Sequence, residues 1–328
     1  MIPGGKMMAL SYNEYGSPDV LFFSNTDIPA PKVDQVLIKV HAVSINAGDI
    51  HLMEGTPYPL RLATGIFRPR NKILGLDLSG CIVDVGKEIK GFKVGDEVYG
   101  SASIFDEGCF AEYACLRENH FVSKPKSISF KEAAALPTAG ATALRLIKNF
   151  MPSEPYKRAL IIGASGGVGT FAIQILKCFG CEVTAVCSTI NIEIVRSLGA
   201  DRIIDYKTSS IFDTEEKYDL VYAVNGSNSI FDYQKLLRKD GAYVTSGGSA
   251  QQAFQAMVIG PFMLSNKISS MLVVPTSEDF TELNKLISEK KIHPVIDKTY
   301  RKEQMIEAIN YFYRGDATGK VVVTMCDD

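Results

Sequence analysis

The sequence predicts an α/β protein in two parts, a mainly β segment followed by a doubly wound parallel sheet with crossover helices. Three observations predict it. The chain has 328 residues, more than one hydrophobic core usually organises, so two domains are expected. From Arg158 onward, short branched runs alternate with helical patterns, the signature of a parallel sheet whose strands are joined by helices. Before Ser129 the texture differs, with branched runs set between glycine turns.

The elements follow in order. Val36 to Ile45 (VLIKVHAVSI) reads as a strand, and Leu78 to Val85, Val94 to Tyr99 and Phe110 to Leu116 as further short strands. Phe130 to Phe150 is alanine-rich and apolar at helical spacing, and Pro152 and Pro155 mark the loop after it. Arg158 to Ile162 reads as a buried strand. Val168, Phe171, Ala172, Ile175 and Leu176 then recur at the spacing of one helix face. The alternation continues with strand Glu182 to Cys187, helix Ile192 to Leu198, strand Arg202 to Asp205, strand Tyr218 to Val224, helix Ile230 to Arg238 and strand Ala242 to Thr245. Ser270 to Val274 is the candidate sixth strand, with Leu283, Leu286 and Ile287 on the helix after it. The tail holds a helix with Met305, Ile309 and Phe312 on one face and a last strand, Lys320 to Met325. These readings divide the chain into residues 1–134, 135–284 and 285–328, the last returning to the first domain.

Composition excludes several functions. Hydrophobic residues make up 46% and charged residues 22%, ordinary globular values, and no window has the apolar length of a membrane span. A net charge of -2 without a basic block argues against nucleic acid as a partner. Met1 to Leu10 lacks a secretion signal, so a cytoplasmic location is expected. Seven cysteines spread from Cys81 to Cys326 do not form a disulfide framework.

Between the strand at Leu160 and the helix at Phe171 lies Gly163-Ala164-Ser165-Gly166-Gly167-Val168-Gly169. Glycines here allow a tight turn, a close approach of backbone amides to a pyrophosphate, and close packing of helix on strand. Its place between strand and helix in a repeating β-α pattern makes it a Rossmann dinucleotide fingerprint, with Ala164, Gly166 and Gly169 in the three glycine positions. Sites that prefer NADH end the next strand on an acid that binds the ribose diol. This chain instead has Val186-Cys187-Ser188-Thr189, whose hydroxyls and amides can donate to a 2′-phosphate, so NADPH is expected over NADH. Tyr206 either reaches that phosphate or packs as a surface aromatic.

These residues resemble the zinc-independent, zeta-crystallin-like quinone oxidoreductase branch of the medium-chain dehydrogenase/reductase superfamily, from about Ala9 to Met325. The matching stretches are Val43-Ser44-Ile45-Asn46-Ala47-Gly48-Asp49, Leu74-Gly75-Leu76-Asp77-Leu78-Ser79-Gly80, Val94-Gly95-Asp96-Glu97-Val98, Gly163 to Gly169, and Leu198-Gly199-Ala200-Asp201 before Asp205-Tyr206. The resemblance implies a chaperonin-10-like (GroES-like), partly open β-barrel, then a Rossmann domain. It implies nicotinamide contacts from Thr138, Asn225 and Gly247-Gly248-Ser249, with Gly319 and Lys320 near the cofactor. Two positions depart from it. Ile190 stands where many relatives have an arginine that grips the 2′-phosphate, and His51 where several simple quinone reductases have tyrosine. The catalytic cysteine of zinc-dependent relatives falls near Asn46, and their Gly-His-Glu corresponds to Gly75-Leu76-Asp77, so no zinc is expected.

The candidate catalytic residues are Asn46 and His51. The Asn46 amide can hold a water, the ribose or a substrate oxygen, or else it only starts the helix that contains His51. The His51 imidazole is either a proton donor to a forming oxyanion or a solvated histidine. Asp49 reads as a capping residue, because a carboxylate there would oppose developing negative charge. Arg61, Arg68 and Arg70 rim a substrate cleft or form a solvated loop. Ala253 to Leu264 is a lid or a subunit edge, with a homodimer the candidate assembly. The expected activity is hydride transfer from NADPH to a quinone or an α,β-unsaturated carbonyl. An enoyl-thioester reductase, an alcohol dehydrogenase and an NADPH-binding interaction protein are the alternatives.

Overall fold

A computed structural model describes residues 5–150, 158–247, 267–270 and 273–326, with backbone alone for 267–270. The chain forms two units, one running to Ala141 and adding Val274–Ser288 and the segment from Ile296, the other Thr142–Val273 with Glu289–Val295. Among the described residues no helix is long and apolar enough to cross a membrane.

In the first unit, β1 (Lys6–Tyr12) pairs antiparallel with β2 (Leu21–Asp27). The spine is β3 (Gln35–Ile45), an 11-residue strand buried along both faces, which is why its sequence reads as a continuous branched run and not an alternating one. β4 (Asp77–Val85) pairs with β3 on one edge, followed by β5 (Glu97–Ser101) and β7 (Phe121–Ser123). β6 (Tyr113–Arg117) also pairs with β3. Val36, Ile38, Val43, Ile45, Leu78 and Val98 fill the core at 0–1% exposure. Burying each such side chain contributes about 1.5–3 kcal/mol.

Two short helices, α1 (Ala47–Glu54) and α2 (Leu60–Thr64), separate β3 from β4. The single helix expected over 130–150 is two, α3 (Phe130–Ala134) and α4 (Pro137–Phe150). Ser129 and Glu132 close a reciprocal cap at the start of α3, with bonds of 3.2 and 2.8 Å. Pro137 has no N–H to continue that helix but is well suited to start the next. The restart puts Thr138 in the first turn of α4, where backbone N–H groups lack intrahelical acceptors.

The second unit carries β8 (Arg158–Ile162), α5 (Gly167–Cys178), β9 (Glu182–Cys187), α6 (Ile192–Ser197), β10 (Arg202–Asp205), β11 (Tyr218–Ala223), α7 (Ile230–Gln234), β12 (Leu237–Thr245) and β13 (Lys267–Ser270). The sheet order is β10-β9-β8-β11-β12-β13, all parallel. It reverses direction between β8 and β11, the switch point at which such folds bind ligands. The expected helix 230–238 stops at Gln234 because Leu237 pairs with Tyr218, so cross-strand pairing overrides helical spacing. The sixth strand is described at Lys267–Ser270, overlapping the expected run at Ser270; residues 271–272 lie outside the described residues, and Val273 and Val274 are not in a strand.

The remaining elements are α8 (Ser277–Ser288), β14 (Ile296–Arg301), α9 (Met305–Tyr313) and β15 (Lys320–Thr324). β15 pairs antiparallel with β3, and β14 parallel with β15. Two expected boundaries are corrected. The division at 135 and 284 assigned α8 mostly to the second domain, but Tyr99 Oη donates to Phe280 O at 3.1 Å and to Asn284 Oδ1 at 2.9 Å, which fixes α8 in the first unit. Residues 289–295 join the second unit through Gln174, whose amide exchanges two bonds with the His293 backbone, at 2.9 and 3.0 Å.

Candidate active site

At the junction of β3, α1, β4, α4 and β15, the first unit buries a set of charged and polar side chains. Asp77 and Asp49 are 0% exposed, Lys320 2% and Asn46 6%. Asp77 is the hub. Its carboxylate accepts from Thr138 N at 3.2 and 3.1 Å, Thr138 Oγ1 at 2.6 Å, Asn46 Nδ2 at 3.0 Å and Ser44 Oγ at 3.3 Å. A carboxylate at the first turn of α4 also complements that helix's dipole. The Lys320 ammonium donates to Ile45 O at 3.2 Å and to Asn46 Oδ1, and lies 3.8 Å from Asp77. Burial pushes Lys320 down, and Asp77 and Asp49 act against that shift.

Asp49 lies one turn into α1. Its Oδ2 accepts from Asn46 N at 2.7 Å, the capping role expected of it, while Oδ1 is buried and unpaired. Burial and the neighbouring Asp77 push its carboxyl up to about 8. Burial thus favours the neutral form of Asp49, beside the Asp77–Lys320 pair.

In the second unit the fingerprint loop joins β8 to α5 at the switch point. Gly163 adopts φ +79, a left-handed conformation, and Ala164 is buried beside it, so the tight turn belongs to Gly163 and not to the aligned position Ala164. A Cβ on Gly169 would come within 2.2 Å of Gly163 O, so the helix start packs directly on the turn. A Cβ on Gly166 would meet only Gly163 O, at 3.5 Å. The loop is thus open where a pyrophosphate has to approach, and the orphan N–H groups of the α5 start are available to it. The residues present fit a dinucleotide.

After β9, Asn191 Nδ2 donates to Ser165 Oγ at 3.0 Å and to Ser188 Oγ at 3.2 Å. Each hydroxyl accepts there and keeps its own proton to donate. The nearby acid, Asp205 at the end of β10, accepts from Thr189 Oγ1 at 2.6 Å and Lys207 N at 2.9 Å, which hold its carboxyl below the usual range. Tyr206 is 55% exposed, and Lys207 Nζ lies 5.3 Å from its ring centroid.

Two family models match the chain, Alcohol dehydrogenase GroES-like domain over residues 32–126 and Zinc-binding dehydrogenase over 198–323. A 2-methylene-furan-3-one reductase of Solanum lycopersicum is 35% identical, covering 97% of this chain and 79% of its own. The mitochondrial NAD(P)H oxidoreductase RTN4IP1 of Danio rerio is 32% identical, covering 98% and 92%. The solved quinone oxidoreductase from Coxiella burnetii superposes with a TM-score of 0.87 at 28% identity, covering 98% of this chain and 100% of its own. The chain belongs to the medium-chain dehydrogenase/reductase superfamily, in its quinone oxidoreductase-like branch. It is an oxidoreductase that uses a nicotinamide cofactor.

The structure gives the bonding of two of the expected site residues, Asn46 and Lys320. Both Asn46 Nδ2 hydrogens point inward, to Ser44 O at 3.2 Å and to Asp77, so the amide has no spare donor for an oxyanion. The Lys320 side chain faces this cluster, donating to Ile45 O and Asn46 Oδ1. Asn46, Thr138 and Lys320 come together in the first unit, with Gly319 adjoining them at φ +77. His51 is exposed on α1, outside the cluster. In the second unit, Ala164 to Gly169, Ser188 and Tyr206 sit on the loop and the strand ends. Asn225 lies against Gly163, 3.1 Å from a Cβ placed there, and Gly247 against Val224 O. Gly248, Ser249 and Ala253 to Leu264 lie outside the described residues.

Arg61 is not a free rim charge. Its guanidinium lies 4.4 and 4.9 Å from the ring centroids of Tyr15 and Tyr58 and donates to Glu54 O and Gly55 O, closing the C-terminus of α1. Arg68 and Arg70 are exposed. Sequence reasoning missed Asn191 entirely and read Asp77 only as a substituted position. An acid inside the apolar run Leu74 to Leu78 was the available signal. Among the described residues no group of three or more His, Cys, Asp or Glu could hold a metal ion, and the seven cysteines are free.

Proposed function

We propose that this chain uses NADPH to reduce a quinone or the β-carbon of an enone or enal, without zinc. The observation that carries the reading is the open Gly163–Gly169 turn at the β8/β11 switch point, followed by a second strand that ends on Cys187-Ser188 and not on an acid. The proton polarity that Asn191 imposes on Ser165 and Ser188 supports a phosphate there over a ribose diol. The donor set supports chemistry without metal: an amide, Asn46, stands near the cysteine of zinc-dependent relatives and Leu76 stands for their histidine. The Coxiella burnetii quinone oxidoreductase and the Solanum lycopersicum furanone reductase support the two acceptor classes.

A reduced nicotinamide supplies hydride when bound. The chain supplies orientation. Asp77 and Lys320 fix Asn46 and Thr138, and the loop amides and serines hold phosphates. The test is NADPH oxidation against quinones, enones, enoyl thioesters and alcohol/aldehyde pairs, with and without chelator. Turnover of quinones or enones that survives chelation is expected. Turnover confined to thioesters or alcohols, or binding with no turnover, overturns the reading.

A further inference from the structure

Between the acids Glu54 and Asp77 the chain carries four basic residues, Arg61, Arg68, Arg70 and Lys72, and no acidic one. The short helix α2 in this stretch is amphipathic the wrong way round. Its polar side chains turn into the protein: Thr64 Oγ1 bonds Tyr15 Oη at 2.9 Å, and the Arg61 guanidinium donates to Glu54 O and Gly55 O. Its apolar side chains turn out. Tyr58 is 73% exposed, Leu62 71%, Ile66 56% and Phe67 90%. Tyr58 and Leu62, four residues apart, share one side of the helical turn. A surface helix that meets only water presents the opposite arrangement.

This exposure is built into the backbone. Arg70 N donates to Thr64 O at 2.8 Å and closes residues 65–69 into a tight loop, in which a Cβ on Gly65 would come within 2.0 Å of Arg68 O. Ile66 and Phe67 stand in that fixed loop, and the exposed Arg68, Arg70 and Lys72 follow directly in the chain. Among the described residues these three cations have no ion-pair partner. Glu54 is engaged by Thr56 Oγ1 at 3.0 Å and Tyr313 Oη at 2.8 Å, and Asp77 is buried. One acid comes near from another loop, Glu107, which accepts from Ile73 N at 3.3 Å. The segment is thus apolar at its tip and positive at its collar, on a chain of net charge -2.

We propose that residues 58–72 form an interfacial anchor for an anionic phospholipid surface. Leu62, Ile66 and Phe67 enter the boundary between headgroups and acyl chains, Tyr58 lies at headgroup level, and Arg68, Arg70 and Lys72 meet the lipid phosphates. Charge selects the occupant. A second copy of this chain would bring like charges together, whereas an anionic lipid surface matches both the tip and the collar. The inference goes beyond the reductase reading and stands without it.

The chain has no tryptophan, so Phe67→Trp places a single reporter at the tip. The full chain carrying it is titrated, without cofactor, with vesicles of phosphatidylcholine alone or with about one-third phosphatidylserine. On the anionic vesicles its emission should shift to the blue and be quenched by brominated acyl chains. Vesicle flotation of the parent should show affinity at least about tenfold higher for anionic than for neutral vesicles, weakening with salt. Replacing Arg68, Arg70 and Lys72 together with glutamine should lower it about 10²-fold, about fivefold for each cation. Ile66→Ser combined with Phe67→Ser should lower it at least about tenfold. Neither variant alters a buried side chain, so the unfolding midpoint should stay in place. No binding to anionic vesicles, equal binding to both kinds, binding without a blue shift, or parental affinity in either variant overturns the proposal. So does a concentration-dependent dimer that the Ile66/Phe67 variant abolishes, which would assign the tip to a second copy. NADPH oxidation enters none of these readouts, so failure here leaves the reductase reading standing.

Discussion

The Lys320 ammonium donates to the Asn46 side-chain oxygen across 274 positions of sequence, tying β15 to the start of α1. Removing a charge from water costs several kcal/mol, which is offset only when its donors are satisfied and a counter-charge is near. Here Ile45 O, Asn46 Oδ1 and Asp77 meet those conditions. Breaking the set from one side leaves the other side uncompensated.

Lys320→Met should therefore destabilise the protein by about 3–5 kcal/mol, because the buried Asp77 charge loses its counter-ion. Asn46→Ala should cost about 1–3 kcal/mol, since it strands one Lys320 donor and one Asp77 acceptor site. Urea unfolding of both variants and of the double variant checks this. The pair is coupled, so the double loss should fall at least about 0.5 kcal/mol short of the sum. Additive losses would mean that the two side chains act independently.

Asp49 gives the protein a signed pH dependence. Its carboxyl rises from the ordinary 3.8 to about 8 on folding, so between those values the folded state holds a proton that the unfolded state has lost. Stability must then fall as pH rises through that window and level off above it. The slope is at most about 1.4 kcal/mol per pH unit for one proton. Asp49→Asn imitates the protonated form and keeps an acceptor for Asn46 N. Its unfolding free energy should lose this component of the slope between pH 5 and 8, on the order of one proton. A variant with the parental slope would show that Asp49 is already ionised in the folded protein.

Asn191 should control cofactor choice. Asn191→Asp replaces the N–H donors with acceptors, turns the Ser165 and Ser188 protons inward and adds a negative charge. NADPH affinity should fall at least about tenfold, roughly 1.4 kcal/mol, with a much smaller effect on NADH. Ser188→Asp should act in the same direction by direct repulsion. Titrations with both nucleotides decide it, and equal losses for the two would place the 2′-phosphate elsewhere.

Much of the second unit was legible in the sequence because β8 and β9 are buried for nearly their whole length, while the partly exposed edge strand β10 is marked by the turns that bound it. Arg158–Ile162, Glu182–Cys187 and Arg202–Asp205 match their predicted limits. The edge strands β1, β2 and β14 carry exposed positions such as Phe22 and Phe23 and give no continuous run to read. The fingerprint announces itself because glycine spacing is local. The Asp77 cluster does not, since Asn46, Asp77, Thr138 and Lys320 meet only after β3, β4, α4 and β15 have assembled. Donor direction was less visible still. Asn46 looks like a donor as a residue type, and only its bonds to Ser44 O and Asp77 show that its protons are used.

His51 is the polar residue left to test as a proton source. It is exposed on α1 and its imidazole is free of the buried set, so removing it should leave the fold unchanged. The chemistry then separates two acceptors. Hydride addition to a quinone yields a hydroquinone anion, a weak base that takes its proton from water. Addition to the β-carbon of an enone yields an enolate, which is far more basic and gains more from a positioned acid. With no proton to spare on Asn46 or Thr138, the cluster cannot substitute for that acid. His51→Ala should therefore reduce quinones at close to the parental kcat, yet lose about 10²-fold on enones, the lower end for loss of general acid catalysis. The unfolding midpoint, measured alongside, should not move. Parental rates on both substrates would make His51 a solvated surface residue, and the enolate proton would then come from solvent.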